Sequence, residues 1–305
     1  MLTRKTKLFL SKIISLISVV RGYNITIIVL AQYLASIFIL APEKRALDVL
    51  LDWRLFVLVF ASALVIASGY IINNFYDSEK DLINRPTKSM LDRLVSQKTK
   101  LYVYFVLNFL ATGFALIISW RASFFYAVYI FLIWFYSHKL KRYSIVGNLT
   151  ASLLTVLPFF GILLYFKNFY AVIFAHASFL SLLILIREII KDLENIKGDF
   201  ATNYQTIPVR FGEKTAKYII TILSFLTIIP IYVLIEKFNV GYMEIYFYVS
   251  MIVLIAFVLK LWKSFSHSDY LYLHAIMKIL IVTGVFSITL IDPLVLVHSK
   301  EIFNH

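Results

Sequence analysis

Long apolar stretches, separated by short polar segments, run along almost the whole chain. A helix needs about 20 apolar residues to cross the hydrocarbon of a membrane, and about 17 can suffice. The pattern therefore predicts an all-α, polytopic membrane protein with about nine transmembrane helices, at residues 24–41, 54–73, 101–119, 121–136, 145–166, 169–190, 215–236, 242–262 and 275–291. Residues 7–20 are shorter and mix basic with apolar positions, which predicts an amphipathic helix at the membrane surface.

The distribution of charge predicts the orientation of these helices. The chain is 61% hydrophobic and 15% charged, yet its net charge is +13. Because cytoplasmic loops of membrane proteins are enriched in Lys and Arg, we place the N-terminus in the cytoplasm, which puts most of the 30 basic residues there. We expect an integral, multi-pass protein in contact with membrane lipids, with no nucleic-acid partner. Its two longest cytoplasmic loops are predicted at 74–100 and 191–214. The oligomeric state stays open.

Two columns of oxygen-bearing side chains follow the second and the sixth predicted span. Spacings of three and four residues place side chains on nearly one face of a helix. The first column is Asn73, Asp77 and Asp81, and the second is Asp192, Asn195 and Asp199. Helix capping and solvated loops would explain one such motif. Two motifs that both follow even-numbered spans, and so face the same side of the membrane, favour a shared chemical site.

The chemistry of these columns fits a hard cation. Mg²⁺ takes oxygen ligands, usually one or two carboxylates together with substrate phosphates and water. Basic side chains that could bind a diphosphate flank the columns or lie in a third loop, namely Lys80, Arg85, Arg187, Lys191, Lys197, Lys139, Lys141 and Arg142. Cysteine is absent, so any metal must bind oxygen or imidazole.

The first column resembles the first Asp-rich motif of the UbiA-type intramembrane prenyltransferases, and the second resembles their second motif. The segments NRP at 84–86, YSHKLKR at 136–142 and QTIPVRFG at 205–212 are also similar to that family, as are Arg21 and Asn24. The resemblance implies one transmembrane domain over residues 1–305, a bundle of helices around a central cavity. It also implies Mg²⁺-dependent transfer of an isoprenyl group from its diphosphate to an acceptor.

The resemblance also implies roles for individual residues. Metal ligands would be Asn73, Asp77, Asp81, Asp192, Asn195 and Asp199, of which Asp77, Asp81, Asp192 and Asp199 would be catalytic. The diphosphate would contact Arg21, Asn24, Arg85, Lys141 and Arg142. One departure is Asn195, which stands where many members of the family have an aspartate. The metal would then depend more on Asp192 and Asp199, or Glu194 would contribute.

The acceptor and the class of protein leave alternatives. The segments around 187–212 look most similar to the branch that prenylates geranylgeranylglyceryl phosphate, whereas an aromatic quinone precursor such as homogentisate or 4-hydroxybenzoate remains open. A different class is an ion-coupled transporter, because acidic residues in membrane proteins often mark ion pathways. Transporters usually bind their substrates near the bilayer midplane, whereas these acids follow the span ends. A lipid-binding scaffold would not need paired acid columns.

Overall fold

The computed structural model describes residues 4–294 of the chain, which form helices connected by short loops. The helices are α1 (Arg4–Val20), α2 (Gly22–Ala35, extended by a π-helical turn at Ser36–Leu40), α3 (Ala46–Leu50), α4 (Trp53–Tyr76), α5 (Ser78–Asn84), α6 (Pro86–Asp92), α7 (Gln97–Ile118), α8 (Trp120–His138), α9 (Ser144–Phe166), α10 (Ala171–Glu194), α11 (Ile196–Ala201), α12 (Ile207–Phe211), α13 (Glu213–Leu226), α14 (Ile228–Lys237), α15 (Met243–Trp262) and α16 (His267–Ser287).

Within the described residues, eight segments are long and apolar enough to cross a membrane. They are α2 with its π-helical turn, α4, α7, α9, α10, α13 with α14, α15, and α16 with a final 3₁₀ turn. The remaining predicted span corresponds to α8, a 19-residue helix that packs against α4, α7 and α9. Five of the 19 residues of α8 are Tyr or Trp, which are only weakly apolar, and Arg121 and His138 lie near its two ends, so its hydropathy is lower. The all-α membrane fold is confirmed.

Local sequence signals explain where several helices begin or bend. The side chain of Asp52 accepts hydrogen bonds from two backbone amides at the start of α4, and Ser266 forms a capping box with Asp269 at the start of α16. Pro230 follows the break between α13 and α14. Pro158 lies inside α9, where its missing N–H leaves the carbonyl of Leu154 free to accept a bond elsewhere.

The segments expected as long loops are largely helical. Helix α4 extends to residue 76, and the short helices α5 and α6 occupy most of 74–100. In the same way, α10 extends to residue 194, and α11 and α12 occupy much of 191–214. The polar composition indicated where each hydrophobic span ends, but the backbone keeps its helical hydrogen bonds past that point.

Helix α1 matches the amphipathic helix predicted at 7–20. Its Ser15 hydroxyl donates to the carbonyl of Leu91 at 2.8 Å, which ties α1 to α6. On another face, Ile14 and Ile17 are exposed. Arg21 ends the helix with φ at 52°, a left-handed conformation that separates α1 from α2. Its position at the membrane surface remains a prediction.

Candidate active site

Five of the six residues of the two acid columns line one cavity of about 290 Å³ inside the bundle. The cavity lies where α4 and α10 end, and it is enclosed by residues from α2, α8, α9 and α16 as well. Nine of the eleven predicted metal and diphosphate residues line it, and these are Arg21, Asn24, Asn73, Asp77, Asp81, Arg85, Lys141, Asp192 and Asn195. Residues that are far apart in the sequence therefore meet in one polar cavity.

The first column keeps its helical spacing across the junction of α4 and α5. The amide of Asp77 bonds to the carbonyl of Asn73 at 2.9 Å, and the amide of Asp81 bonds to that of Asp77 at 2.8 Å. The backbone nevertheless bends at Asp77, whose φ and ψ are −90° and 5°. The predicted column thus survives a change of helix, and Asp77 is left only 7% exposed.

A buried lysine from the third loop neutralises this column. Lys141 Nζ lies 2.7 Å from Asp77 Oδ1 and donates to Asn73 Oδ1 at 3.0 Å. The hydroxyl of Tyr204 also donates to Asp77 Oδ1, at 3.1 Å. Burial would raise the pKa of Asp77, but the positive charges of Lys141 and Lys80 outweigh it and hold that pKa well below its ordinary value. Asp77 is therefore ionised.

The second column has a similar bend but different partners. The helical bonds of α10 end at Asn195, where φ and ψ are −105° and 13°, and the amide of Asp199 bonds to the carbonyl of Asn195 at 3.0 Å. The carboxylate of Asp192 accepts a hydrogen bond from Asn148 Nδ2 on α9 at 2.8 Å. Asn148 was missed from the sequence, because a single polar residue in an apolar span gives no signal of its partner.

Direct contacts join the two motif segments. Lys80 Nζ, next to the first column, lies 3.0 Å from Asp199 Oδ1. The amide of Gly198 donates to Asn84 Oδ1 at 3.0 Å, and a Cβ at position 198 would overlap the Asn84 carboxamide. Gly198 thus lies within α11 and permits a close approach between α5 and α11. These contacts between side chains and backbone of the two segments hold the columns close together.

Two predicted site residues lie outside the cavity lining. Asp199 is fully buried, and it bonds to Lys80 and to the hydroxyl of Thr206, 3.3 Å from its Oδ2. The Arg142 guanidinium lies 5.6 Å from the centre of the Tyr204 ring. Each contacts a residue that lines the cavity or touches its acids, so each is joined to the cavity through one neighbour.

Glu194 has both carboxylate oxygens occupied by partners other than the acid columns. Its Oε1 lies 2.6 Å from Arg85 Nη2, and its Oε2 lies 2.6 Å from His274 Nδ1 on α16. The side chain is 1% exposed. The option that Glu194 contributes to a metal site is therefore not supported by these contacts. No motif in the sequence indicated that α16 reaches the site.

The oxygen atoms around Asp77 fit a divalent cation. Among the described residues, no three His, Asp or Glu side chains form a cluster ready to hold a metal ion. Mg²⁺ rarely needs one, because it usually takes one or two carboxylates plus substrate phosphates and water. Asp77, Asp192 and Asn73 line one cavity. The ammonium of Lys141 contacts Asp77 Oδ1 and Asn73 Oδ1, so these two oxygens already attract a positive charge.

Comparison with known proteins gives several relatives that share one name. The chain is 32% identical to the digeranylgeranylglyceryl phosphate synthase of Pyrococcus horikoshii over 181 residues, which are 59% of this chain and 65% of that protein. The synthase of Methanosphaera stadtmanae is 31% identical over 212 residues, 69% of this chain and 76% of that protein. The alignment with the Pyrococcus protein spans slightly less than two thirds of its length.

Solved structures share the fold. A structure that addresses digeranylgeranylglyceryl phosphate synthase in membranes has a TM-score of 0.68 at 22% identity, covering 91% of this chain and 97% of that one. A UbiA homolog from Archaeoglobus fulgidus, bound to DMAPP and Mg²⁺, has a TM-score of 0.67 at 14% identity, covering 90% and 99%. The UbiA prenyltransferase family matches residues 16–283, which include both acid columns and most of α16. This chain belongs to the UbiA prenyltransferase family.

Proposed function

We propose that the protein transfers an isoprenyl group from a prenyl diphosphate to a glyceryl phosphate lipid, with geranylgeranylglyceryl phosphate as the preferred acceptor. The observation that carries this proposal is the meeting of two acid columns, one from α4–α5 and one from α10–α11, at a single cavity with a buried lysine, Lys141. The name shared by the relatives supports the choice of acceptor.

Mg²⁺ is the proposed cofactor, and the acid columns are its proposed ligands. When bound, it would neutralise the diphosphate as the bond to the allylic carbon breaks. Asp77 and Asp192 line the cavity from opposite columns, and each has a side-chain partner that holds its carboxylate in place. Asp199, the column residue that does not line the cavity, forms an ion pair with Lys80, which does.

Cationic side chains of the chain itself would hold the leaving diphosphate. Lys141, Arg85 and Arg21 line the cavity with the acids. Preorganised donors of this kind stabilise charge that develops as a bond breaks, and losing one costs about 2.7–4 kcal/mol in well-studied enzymes. Tyr129 and Tyr136 line the same cavity, and an aromatic face can stabilise a nearby cation by up to about 2 kcal/mol.

A second cavity offers room for hydrocarbon. It measures about 120 Å³ and is lined almost entirely by apolar residues from α2, α9, α10, α15 and α16, among them Val156, Leu183 and Ile281. The two cavities share α9, where Val156 and Pro158 line one each. We propose that the isoprenyl chain extends from the polar cavity toward this apolar one, because hydrocarbon is stabilised by removal from water.

The proposed orientation puts the N-terminus and the polar cavity on the cytoplasmic side. Two observations support this orientation. Lys and Arg are in excess in the predicted cytoplasmic loops, and the C-terminal ends of α4 and α10 meet at the same cavity. The polar diphosphate group of the donor would then enter the cavity from the cytoplasmic side.

The test is a direct assay of transfer. Purified protein is incubated with Mg²⁺, labelled geranylgeranyl diphosphate and one acceptor at a time, either geranylgeranylglyceryl phosphate, homogentisate or 4-hydroxybenzoate, and products are identified by mass. We expect product with the glyceryl phosphate lipid, and its loss in Asp77→Ala and Asp192→Ala. Product only with an aromatic acceptor would replace the proposed acceptor. Near-normal turnover in either variant would refute the metal assignment.

A further inference from the structure

Lys278 is a cation inside α16, a helix long and apolar enough to cross the membrane. It is the only Lys, Arg, Asp or Glu of that helix after Asp269. A charged side chain within a membrane helix is costly and often marks the path of a substrate or an ion. Spacings of four and three residues place His274, Lys278 and Ile281 on one face of α16. His274 lines the polar cavity and Ile281 lines the apolar one, so Lys278 lies between the two cavities along α16.

The ammonium of Lys278 reaches the start of α2. Its Nζ lies 4.4 Å from the centre of the Tyr23 ring. The Tyr23 hydroxyl also experiences the positive charges of Arg21 and Lys88, from the start of α2 and from α6. Three cations from separate parts of the chain therefore lie near one side chain. Tyr23 is 58% exposed, so a ligand can reach this position from the surface of the bundle.

The three cations Arg21, Lys88 and Lys278 lack a counter-charge. None of them forms an ion pair with a carboxylate in the part of the chain that the structure describes. Burial and the positive charge of Arg21 lower the pKa of Lys88, and the nearby acids do not reverse this shift. Repulsion between the cations is therefore unbalanced. An anion bound among them would relieve it, because an opposite charge favours the charged form of each group.

These cations are largely separate from the proposed diphosphate site. Lys141 and Asp77 line the polar cavity, whereas Lys88 and Lys278 do not. Arg21 belongs to both regions, because it lines the cavity and its charge also acts on Tyr23. Two anionic groups that meet in one reaction repel each other. A second set of cations would let a second anion bind beside the diphosphate.

We propose that Arg21, Lys88 and Lys278 bind the phosphate group of the lipid acceptor, an inference that rests on the proposed function. The ligand class is a phosphate monoester on a glycerol backbone. Ammonium and guanidinium groups form strong, charge-assisted hydrogen bonds with phosphate oxygens. The phosphate and the reacting hydroxyl share a three-carbon backbone, so a phosphate held beside Arg21 keeps that hydroxyl at the polar cavity. The site thereby favours a phosphorylated lipid over an acceptor without phosphate.

The experiment measures binding without the donor, so that it does not depend on catalysis. Purified, full-length protein is placed in dodecyl maltoside that contains no phospholipid. Its affinity is measured for radiolabelled geranylgeranylglyceryl phosphate and for the same lipid without phosphate. The variants are Lys278→Gln, Lys278→Arg and Lys88→Gln. The matched control is Lys263→Gln, because Lys263 is exposed directly after α15 and lines neither cavity.

We expect the unmodified protein to bind the phosphorylated lipid at least about tenfold more tightly than the lipid without phosphate. Lys278→Gln and Lys88→Gln should each raise the Kd for the phosphorylated lipid about 10- to 100-fold, the usual effect of losing a hydrogen bond to a charged group. Their Kd for the lipid without phosphate, and their KM for geranylgeranyl diphosphate, should stay within about threefold of normal. Lys278→Arg and Lys263→Gln should bind normally, because the first keeps the charge and the second lies outside the site.

Three results would overturn the site. They are equal affinity of the unmodified protein for the two lipids, an unchanged Kd in Lys278→Gln, and equal weakening for both lipids in that variant. Membrane headgroups are the other source of phosphate. If phosphatidylglycerol competed as strongly as the unlabelled acceptor, the cations would bind membrane phosphates in general. Failure of the proposed function is distinct, because the protein would then bind the phosphorylated lipid selectively but form no ether product when donor and Mg²⁺ are added.

Discussion

The hydrogen bond between Asn148 and Asp192 offers a quantitative test of the metal site. Asn148 is buried on α9, and its Nδ2 lies 2.8 Å from Asp192 Oδ2 on α10. A hydrogen bond to a charged group is worth about 1.5–3 kcal/mol, and each 1.4 kcal/mol is a factor of ten in affinity. Replacing Asn148 by Leu should therefore weaken the response to Mg²⁺ about 10- to 100-fold, the range seen when a residue that orients a metal ligand is lost.

The assay is the rate of prenyl transfer as a function of Mg²⁺ concentration at saturating donor. We expect the half-saturating concentration to rise by that factor, because the Asp192 carboxylate loses its fixed orientation. The matched control is Ser152→Ala. Ser152 lies one turn further along α9, and its hydroxyl donates to the carbonyl of Ser181 at 2.8 Å, so it joins the same two helices without touching an acid column.

The comparison separates orientation of the carboxylate from simple helix packing. Ser152→Ala should lower the unfolding temperature without changing the half-saturating Mg²⁺ concentration. If Asn148→Leu also left that concentration within twofold of normal, Asn148 would serve only to join α9 to α10, and the assignment of Asp192 to the metal would lose its support.

Three further outcomes are expected. Gly198→Ala should lower transfer about tenfold or more, because the added methyl displaces the Asn84 carboxamide at a cost of about 1–3 kcal/mol. The control is Gly113→Ala, because a Cβ at that position meets nothing within 4 Å. Equal activity of the two variants would contradict the reasoning. Lys141→Met should lower the transfer rate about 100- to 1000-fold, whereas Lys139→Met, exposed and outside the polar cavity, should transfer normally. Removal of divalent cations by EDTA should stop transfer while the circular dichroism spectrum stays helical, and added Mg²⁺ should restore it.

The membrane helices were predictable because their signal is local. Length and apolar content decide whether a segment can cross a bilayer, and the four-residue spacing of Asn73, Asp77 and Asp81 already implied a shared face. The prediction failed where hydropathy was used to end helices. Polar residues after position 76 end the apolar span, but they remain good helix formers, so α5 and α6 continue where a loop was expected.

The partners of the acids were not predictable, because they come from distant segments. Nothing near Asp192 in the sequence indicates Asn148, and nothing in residues 215–305 resembles a motif, yet His274 from that region lines the cavity. Such contacts depend on which helices pack together. Only the tertiary arrangement of α9 and α16 around α10 determines them.

The pairing of the first acid column with distant residues has a consequence for how the protein is made. Lys141 follows Asn73 by 68 residues, and Tyr204 follows Asp77 by 127. When α4 first enters the lipid during synthesis, its terminal carboxylate has none of these neighbours. The Lys141 ammonium arrives only with the segment after α8, and the Tyr204 phenol only after α10 has been synthesised. The first motif therefore has all of these partners only after the second motif has been synthesised. A chain truncated before α10 would keep an acidic helix end without its full set of partners.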